Sequence, residues 1–101
     1  MKIKNKKILI IGAGFFAQRV HIPTVKKFFM KKNIFLYDER LVLAKLVAKQ
    51  FKINQFFSIS EKNLIKNKIK LGLICYNRER SFYYSKKLLN YNLNLLCEKP
   101  V

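Results

Sequence analysis

The sequence predicts an α/β fold in which a doubly wound, mostly parallel sheet lies between two layers of helices (α/β/α). Short apolar runs alternate with helix-like segments along all 101 residues, and this alternation is typical of βαβ units. The run 71–75 is almost wholly apolar, as expected for a strand that is covered on both faces. A chain of this length favours one domain, with a core of modest size.

Each predicted element has a pattern behind it. Five strands are expected, at about residues 7–11, 33–37, 55–57, 71–75 and 94–97. The first helix is predicted from about residue 15 to 29, with an interruption near Pro23, because proline kinks a helix or begins a new one. A second helix is expected from the inward face formed by Ala44, Val47, Ala48 and Phe51. A short helix through Leu64 and Ile65 is expected behind a Ser58 or Ser60 cap. The last helix is expected at about residues 80–90, with Tyr84, Leu88 and Tyr91 on one stripe.

Charge is the most unusual feature of the composition. Lys and Arg number 22 against 5 Asp and Glu, a formal net charge of +17. Such a balance would suit a basic nucleic-acid-binding domain. However, the basic residues are scattered over every segment, and the abundance of Lys, Asn, Ile and Phe is what an A+T-rich coding sequence would give. Nucleic acid is therefore an unlikely partner, although the charge favours any phosphate-bearing ligand.

The sequence gives little support to a membrane or metal function. No apolar run approaches the roughly 20 residues of a membrane span, and the basic N-terminus lacks the apolar core of a signal peptide, so we expect a cytoplasmic protein without membrane contact. Cys75 and Cys97 lie in apolar runs without CxxC spacing, beside one histidine in the whole chain. Buried, reduced thiols are expected, and no metal site.

A glycine-rich turn follows the first predicted strand. Residues 12–17, GAGFFA, match the G-x-G-x-x-[GA] fingerprint of a Rossmann-type NAD(P)-binding fold. Gly12 would allow the tight turn, and Gly14 would let the backbone approach a pyrophosphate. The N–H groups of the first helical turn, including Phe15 and Phe16, would face that anion.

An acidic residue follows the second predicted strand at the matching distance. Asp38 lies 21 residues beyond Ala17, where the fingerprint places an acid that binds the adenosine ribose hydroxyls and so favours NAD over NADP. Arg40 would reach a 2′-phosphate if Asp38 turned away. Alternatively, Asp38 merely begins the next helix, where an acid is favourable.

The last residues add a third motif, Glu98-Lys99-Pro100 after the fifth strand. With the glycine turn, the segment 21–23 (HIP) and Asp38, they make the whole chain resemble the N-terminal domain of the Gfo/Idh/MocA-like oxidoreductases. The resemblance implies that Lys99 lies beside the nicotinamide and assists hydride transfer, and that Glu98 shapes the strand end and touches the cofactor. Alternatively, Lys99 is an ordinary exposed lysine.

The same resemblance sets the expected activity and its limits. It implies a NAD cofactor, with NADP possible, and reversible oxidation of a sugar, inositol or related polyol. The family's Thr-Pro-Asn turn is replaced by a stretch in which Tyr76 and Asn77 would contact the cofactor, and Ser81 replaces its histidine. The family's substrate domain has no counterpart in residues 1–101. We therefore expect an incomplete Rossmann domain that is inactive alone, and a truncated gene product, a split subunit and a fragment of a longer reading frame all remain open, as does a homo-oligomer or split-subunit partner. The alternative function is a non-catalytic nucleotide-binding or regulatory module.

Overall fold

A computed structural model describes residues 5–91 and 94–97, and its central feature is a five-stranded parallel sheet. The strands are β1 (Ile8–Ile11), β2 (Ile34–Tyr37), β3 (Asn54–Gln55), β4 (Leu71–Ile74) and β5 (Asn94–Cys97). Their order is β3-β2-β1-β4-β5, and all four pairings are parallel. Ile8 of β1 is level with the first residues of both neighbours, β2 and β4. The predicted α/β class with a doubly wound sheet is confirmed.

Helices connect the strands on both sides of the sheet. They are α1 (Ile22–Phe28), preceded by a π-helical turn (Ala17–His21), α2 (Leu41–Phe51), α3 (Glu61–Lys66) and α4 (Arg78–Leu88). Short 3-10 turns cover Lys31–Asn33 and Leu89–Tyr91. Among the described residues, no helix has both the length and the apolar character that a bilayer span requires.

Side chains that alternate along β1 divide the core into two halves. Ile8 and Ile10 pack in one buried cluster with residues of α1 and α2, including Ile22 and Val47. Leu9 and Ile11 pack in the other, which holds residues of α3 and α4. Of the residues on the predicted helix faces, Ala44, Val47, Ala48, Tyr84 and Leu88 are buried, whereas Phe51 and Tyr91 are partly buried. Three layers result, as the sequence predicts.

The expected interruption near Pro23 is a local change of winding. The Ile22 N–H donates to the Ala17 carbonyl, five residues back, and α1 continues without a break with Pro23 in its first turn. A proline inside a continuous helix removes one N–H donor and crowds the carbonyl four residues back. The wider π-turn therefore accommodates the proline.

Element boundaries differ from the prediction where side-chain hydrogen bonds set them. β3 covers Asn54–Gln55 and not 55–57, because the Asn54 amide donates to the carbonyls of Lys32 and Ile34 at 2.9 and 3.0 Å and holds the strand to β2 from its first residue. Ser60 caps α3 by accepting from the Asn63 N–H at 3.2 Å. Within α3, Leu64 is buried and Ile65 is exposed.

Candidate functional site

Three turns lie side by side at the carboxyl edge of the sheet. They follow β2, β1 and β4, which are neighbours in that order. The chain leaves β1 towards one helical layer and leaves β4 towards the other, so the β1 turn marks a topological switch point. Open α/β sheets bind ligands in the crevice at such a point.

Gly12 occupies a position that excludes every other residue. Its φ is +114°, and its N–H donates to the Tyr37 carbonyl at 2.7 Å. A Cβ at this position would lie 3.1 Å from the Cys75 carbonyl carbon and 3.4 Å from the Tyr76 ring. The turn therefore needs glycine for its backbone conformation and for the close approach of the β4 turn.

Gly14 shows the opposite environment. A Cβ built there meets no atom of the described residues within 4 Å, so nothing in this part of the protein fills the space beside its backbone. The Gln18 N–H donates to the Gly14 carbonyl at 3.0 Å and closes the first helical turn. The N–H groups of Phe15 and Phe16 precede any intrahelical acceptor, while both rings are exposed. An open backbone face with helix N-terminal amides suits an anion.

Asp38 is fully buried, with 0% of its side chain exposed, and four hydrogen bonds reach its carboxylate. Oδ2 accepts from the Ala13 N–H at 2.8 Å and from Arg40 Nη2 at 2.9 Å. Oδ1 accepts from the Arg40 N–H at 2.8 Å and from Arg40 Nε at 2.9 Å. The carboxylate thus ties the turn after β2 to the glycine turn. It does not begin α2, whose first residue is Leu41.

The electrostatics of Asp38 follow from these contacts. Burial acts to raise the pKa of Asp38, but the hydrogen bonds from the Arg40 side chain and from the N–H groups of Arg40 and Ala13, with the guanidinium charge, outweigh it. The pKa therefore lies below its ordinary value. The carboxylate is charged at neutral pH, and it raises the pKa of Arg40 in turn.

Tyr76 joins the turn after β4 to the turn after β2. The Glu39 N–H donates to its hydroxyl oxygen at 2.8 Å, and its ring stacks on Tyr84 with 5.4 Å between centroids. Burial raises the pKa of Tyr76 far above its ordinary value, so the phenol stays protonated. Tyr76 is therefore a wall of the crevice beside Gly12.

A second link between these turns was not predicted from the sequence. Arg80 Nε donates to Glu39 Oε1 at 3.1 Å, and the second guanidinium nitrogen pairs with Oε2. The Arg80 guanidinium also lies 4.7 Å from the Tyr83 ring centroid. A usable signal existed, because Glu39 and Arg80 carry opposite charges just beyond the two strands that flank β1.

Asn77 and Ser81 have local structural partners. The Asn77 Oδ1 accepts from the Arg80 N–H at 3.0 Å, so α4 begins at Arg78, two residues before the predicted start. The Ser81 Oγ donates to the Tyr76 carbonyl at 2.8 Å. Cys75 is not part of a disulfide bond, and its side chain is only partly buried, in contrast to the expected full burial.

Two expected site residues cannot be placed in this geometry. Glu98 and Lys99 lie outside the described residues, so their contribution rests on the sequence resemblance. Within the described ranges 5–91 and 94–97, no cluster of three or more His, Cys, Asp or Glu side chains is arranged to hold a metal ion.

The residues present at the glycine turn fit a dinucleotide: a turn that requires Gly12, an open backbone face at Gly14 and helix N-terminal amides. The sequence profile described as "Oxidoreductase family, NAD-binding Rossmann fold" (GFO_IDH_MocA) matches residues 6–101. The chain belongs to this Gfo/Idh/MocA oxidoreductase family. It is the family's NAD-binding Rossmann domain, and the resemblance inferred from the motifs is confirmed. No match is found among curated proteins.

Solved structures share the fold. GenD2 from gentamicin A biosynthesis, in complex with NAD, superposes with a TM-score of 0.80 at 13% identity over 98% of this chain and 28% of its own. UDP-N-acetylglucosamine 3-dehydrogenase GnnA from Acidithiobacillus ferrooxidans superposes with a TM-score of 0.75 at 20% identity, over 96% of this chain and 30% of its own. KijD10, a 3-ketoreductase from Actinomadura kijaniata in complex with NADP and TDP-benzene, superposes with a TM-score of 0.76 at 16% identity, over 99% of this chain and 30% of its own. The chain thus spans less than a third of each of these proteins.

Proposed function

We propose that this chain binds NAD(P) along the carboxyl edge of the sheet, as the cofactor-binding part of an oxidoreductase that acts on a sugar, inositol or related polyol. The contrast between Gly12 and Gly14 supports this most strongly. At Gly12 the protein itself fills the space that a Cβ would need. At Gly14 that space is open and lies beside unpaired helical amides, which is the geometry a pyrophosphate requires.

The proposed roles follow from the positions of the residues. The backbones of Gly12, Gly14, Phe15 and Phe16 hold the pyrophosphate. Asp38 and Arg40 lie at the adenosine ribose, while Tyr76 and Asn77 form the opposite wall. The nicotinamide ring, when bound, supplies or accepts the hydride.

Two further roles come from the family resemblance. Lys99 donates a hydrogen bond to the substrate oxygen and stabilises the negative charge that develops there. Glu98 shapes the strand end beside it. A sugar-like substrate is supported by the name of GnnA, a UDP-N-acetylglucosamine 3-dehydrogenase. A substrate domain outside residues 1–101, on the same or another chain, would complete the pocket.

A binding titration of the full chain tests the cofactor site. Nicotinamide fluorescence of NADH and of NADPH gives the Kd for wild type and for Gly14→Asp. The new side chain projects into open space, so the fold is retained, but its carboxylate faces the pyrophosphate. We expect the Kd to rise by about tenfold or more, since like charges in close contact cost more than 1.4 kcal/mol.

Gln50→Glu is the matched control for this variant. It lowers the charge of the chain by the same amount at an exposed position of α2 near its far end, and its Kd should equal that of wild type. Equal Kd values for Gly14→Asp and wild type, with a native circular dichroism spectrum, would overturn the pyrophosphate assignment.

A further inference from the structure

The adenosine end of the proposed site points to NADP(H) in preference to NAD(H). We infer that Arg40, held in place by Asp38, binds the 2′-phosphate that distinguishes the two cofactors. This inference rests on the proposed dinucleotide site. It reverses the expectation that Asp38 accepts the ribose hydroxyls and thereby selects NAD.

The Asp38 carboxylate has no capacity left for ribose. An ionised carboxylate offers about four lone-pair positions, and four donors already fill them, two on each oxygen. The side chain is also completely buried, so the carboxylate does not face the crevice. A 2′-hydroxyl would have to displace a charge-assisted hydrogen bond in order to reach it.

Arg40 presents a free donor edge at the same place. Its Nε and Nη2 are used on Asp38, and a guanidinium carries five N–H donors in a planar fork. No acceptor among the described residues bonds the Nη1–Nη2 edge, and 62% of the side chain is exposed. Because the ion pair fixes the plane of the guanidinium, a phosphate can bind two parallel N–H groups at little ordering cost.

The local charges do not oppose a phosphate. Each of the two acids that follow β2 is matched by an arginine, Asp38 by Arg40 and Glu39 by Arg80. Neither carboxylate therefore acts as the unpaired negative charge that repels a 2′-phosphate in NAD-selective sites. The net charge of +17 adds a general attraction for the extra phosphate.

Two nucleotides that differ in one group test the inference. Adenosine 2′,5′-bisphosphate and 5′-AMP share the base, ribose and 5′-phosphate, and their Kd values for the full chain are measured by calorimetry. We expect the bisphosphate to bind about tenfold tighter or more, because a charge-assisted bidentate contact is worth at least one factor of ten. NADPH should exceed NADH in affinity by a similar factor.

Variants assign the preference to the guanidinium. Arg40→Gln should lose the preference, so that the Kd values of the bisphosphate and of 5′-AMP become similar, because the guanidinium that binds the 2′-phosphate is gone. Arg40→Lys should keep part of the preference for the bisphosphate, since lysine keeps the positive charge but lacks the paired N–H donors of a guanidinium. Lys49→Gln removes one positive charge from an exposed position further along α2 and should keep the wild-type ratio.

The outcomes separate this inference from the proposed function. Equal or tighter binding of NADH and 5′-AMP by wild type overturns the inference and leaves the dinucleotide site intact. An unchanged ratio in folded Arg40→Gln also overturns it. Failure of wild type to bind any of the four nucleotides overturns both proposals. The wild-type comparison decides the matter even if an Arg40 variant does not fold.

Discussion

Alanine substitution should strongly destabilise the protein at Gly12 and have little effect at Gly14. At Gly12, alanine would have to adopt φ +114°, and its Cβ would lie 3.1 and 3.2 Å from the carbonyl carbon and oxygen of Cys75. Those atoms are backbone of the β4 turn and cannot rotate away. At Gly14, the new methyl group meets nothing within 4 Å among the described residues.

The magnitude at Gly12 has two parts. A sparsely populated backbone conformation costs about 1–3 kcal/mol, and forced overpacking costs a further 1–3 kcal/mol or so. With about 3 kcal/mol as a cautious total, the melting midpoint of a domain of this size falls by roughly 12–24 °C, at about 4–8 °C per kcal/mol. A small domain has a stability of only about 5–15 kcal/mol, so this loss is large.

Differential scanning calorimetry of wild type, Gly12→Ala and Gly14→Ala measures both effects. We expect a large decrease in Tm for Gly12→Ala and a Tm close to wild type for Gly14→Ala. The two variants serve as mutual controls, because they add the same methyl group two residues apart. Similar Tm values for the two variants would refute the described turn geometry.

Two further predictions concern the contacts around the site. The pKa of Asp38 is lower in the folded chain than in the unfolded chain, where it is about 3.9. The stabilisation that the ionised carboxylate gives the folded state is therefore complete at pH values above the unfolded pKa. It is lost as the pH falls through the lower pKa of the folded state. Asp38→Asn should therefore lower the free energy of unfolding by about 1–3 kcal/mol at pH 7, and that free energy should fall less steeply than in wild type below about pH 4. Urea denaturation from pH 7 to pH 2 measures both effects. If the free energies of unfolding of variant and wild type followed parallel curves against pH, the prediction would be contradicted. Tyr76→Phe removes the acceptor for the Glu39 N–H and should cost about 0.5–1.5 kcal/mol in the same assay, whereas Tyr83→Phe, at an exposed ring, is its control and should cost less.

The sequence predicts the sheet well because its signals are local. Apolar runs such as Ile8–Ile11 are typical of a strand that is covered on both faces, and the helical spacing of Ala44, Val47 and Ala48 fixes one inward face. The predicted boundaries of β3 were wrong by one or two residues, because they are set by hydrogen bonds from the Asn54 amide to carbonyls 20 and 22 residues earlier.

The site was predictable in its position and not in its internal contacts. The glycine turn and Asp38 could be located from spacing alone. The saturation of the Asp38 carboxylate depends on its complete burial, and the Glu39–Arg80 pair joins residues 41 apart in the chain. Spacing along the sequence carries neither fact, because both depend on which strands become neighbours and on how the turns pack.

The central claim is that the glycine turn holds a dinucleotide, and NMR titrations of the ¹⁵N-labelled full chain, one with NADPH and one with NADH, test it most directly. The account predicts the largest amide shift changes at Gly14, Phe15, Phe16 and Arg40, with a saturation curve common to all four. Saturable changes elsewhere that leave these four amides unmoved would contradict the account, as would the absence of any change.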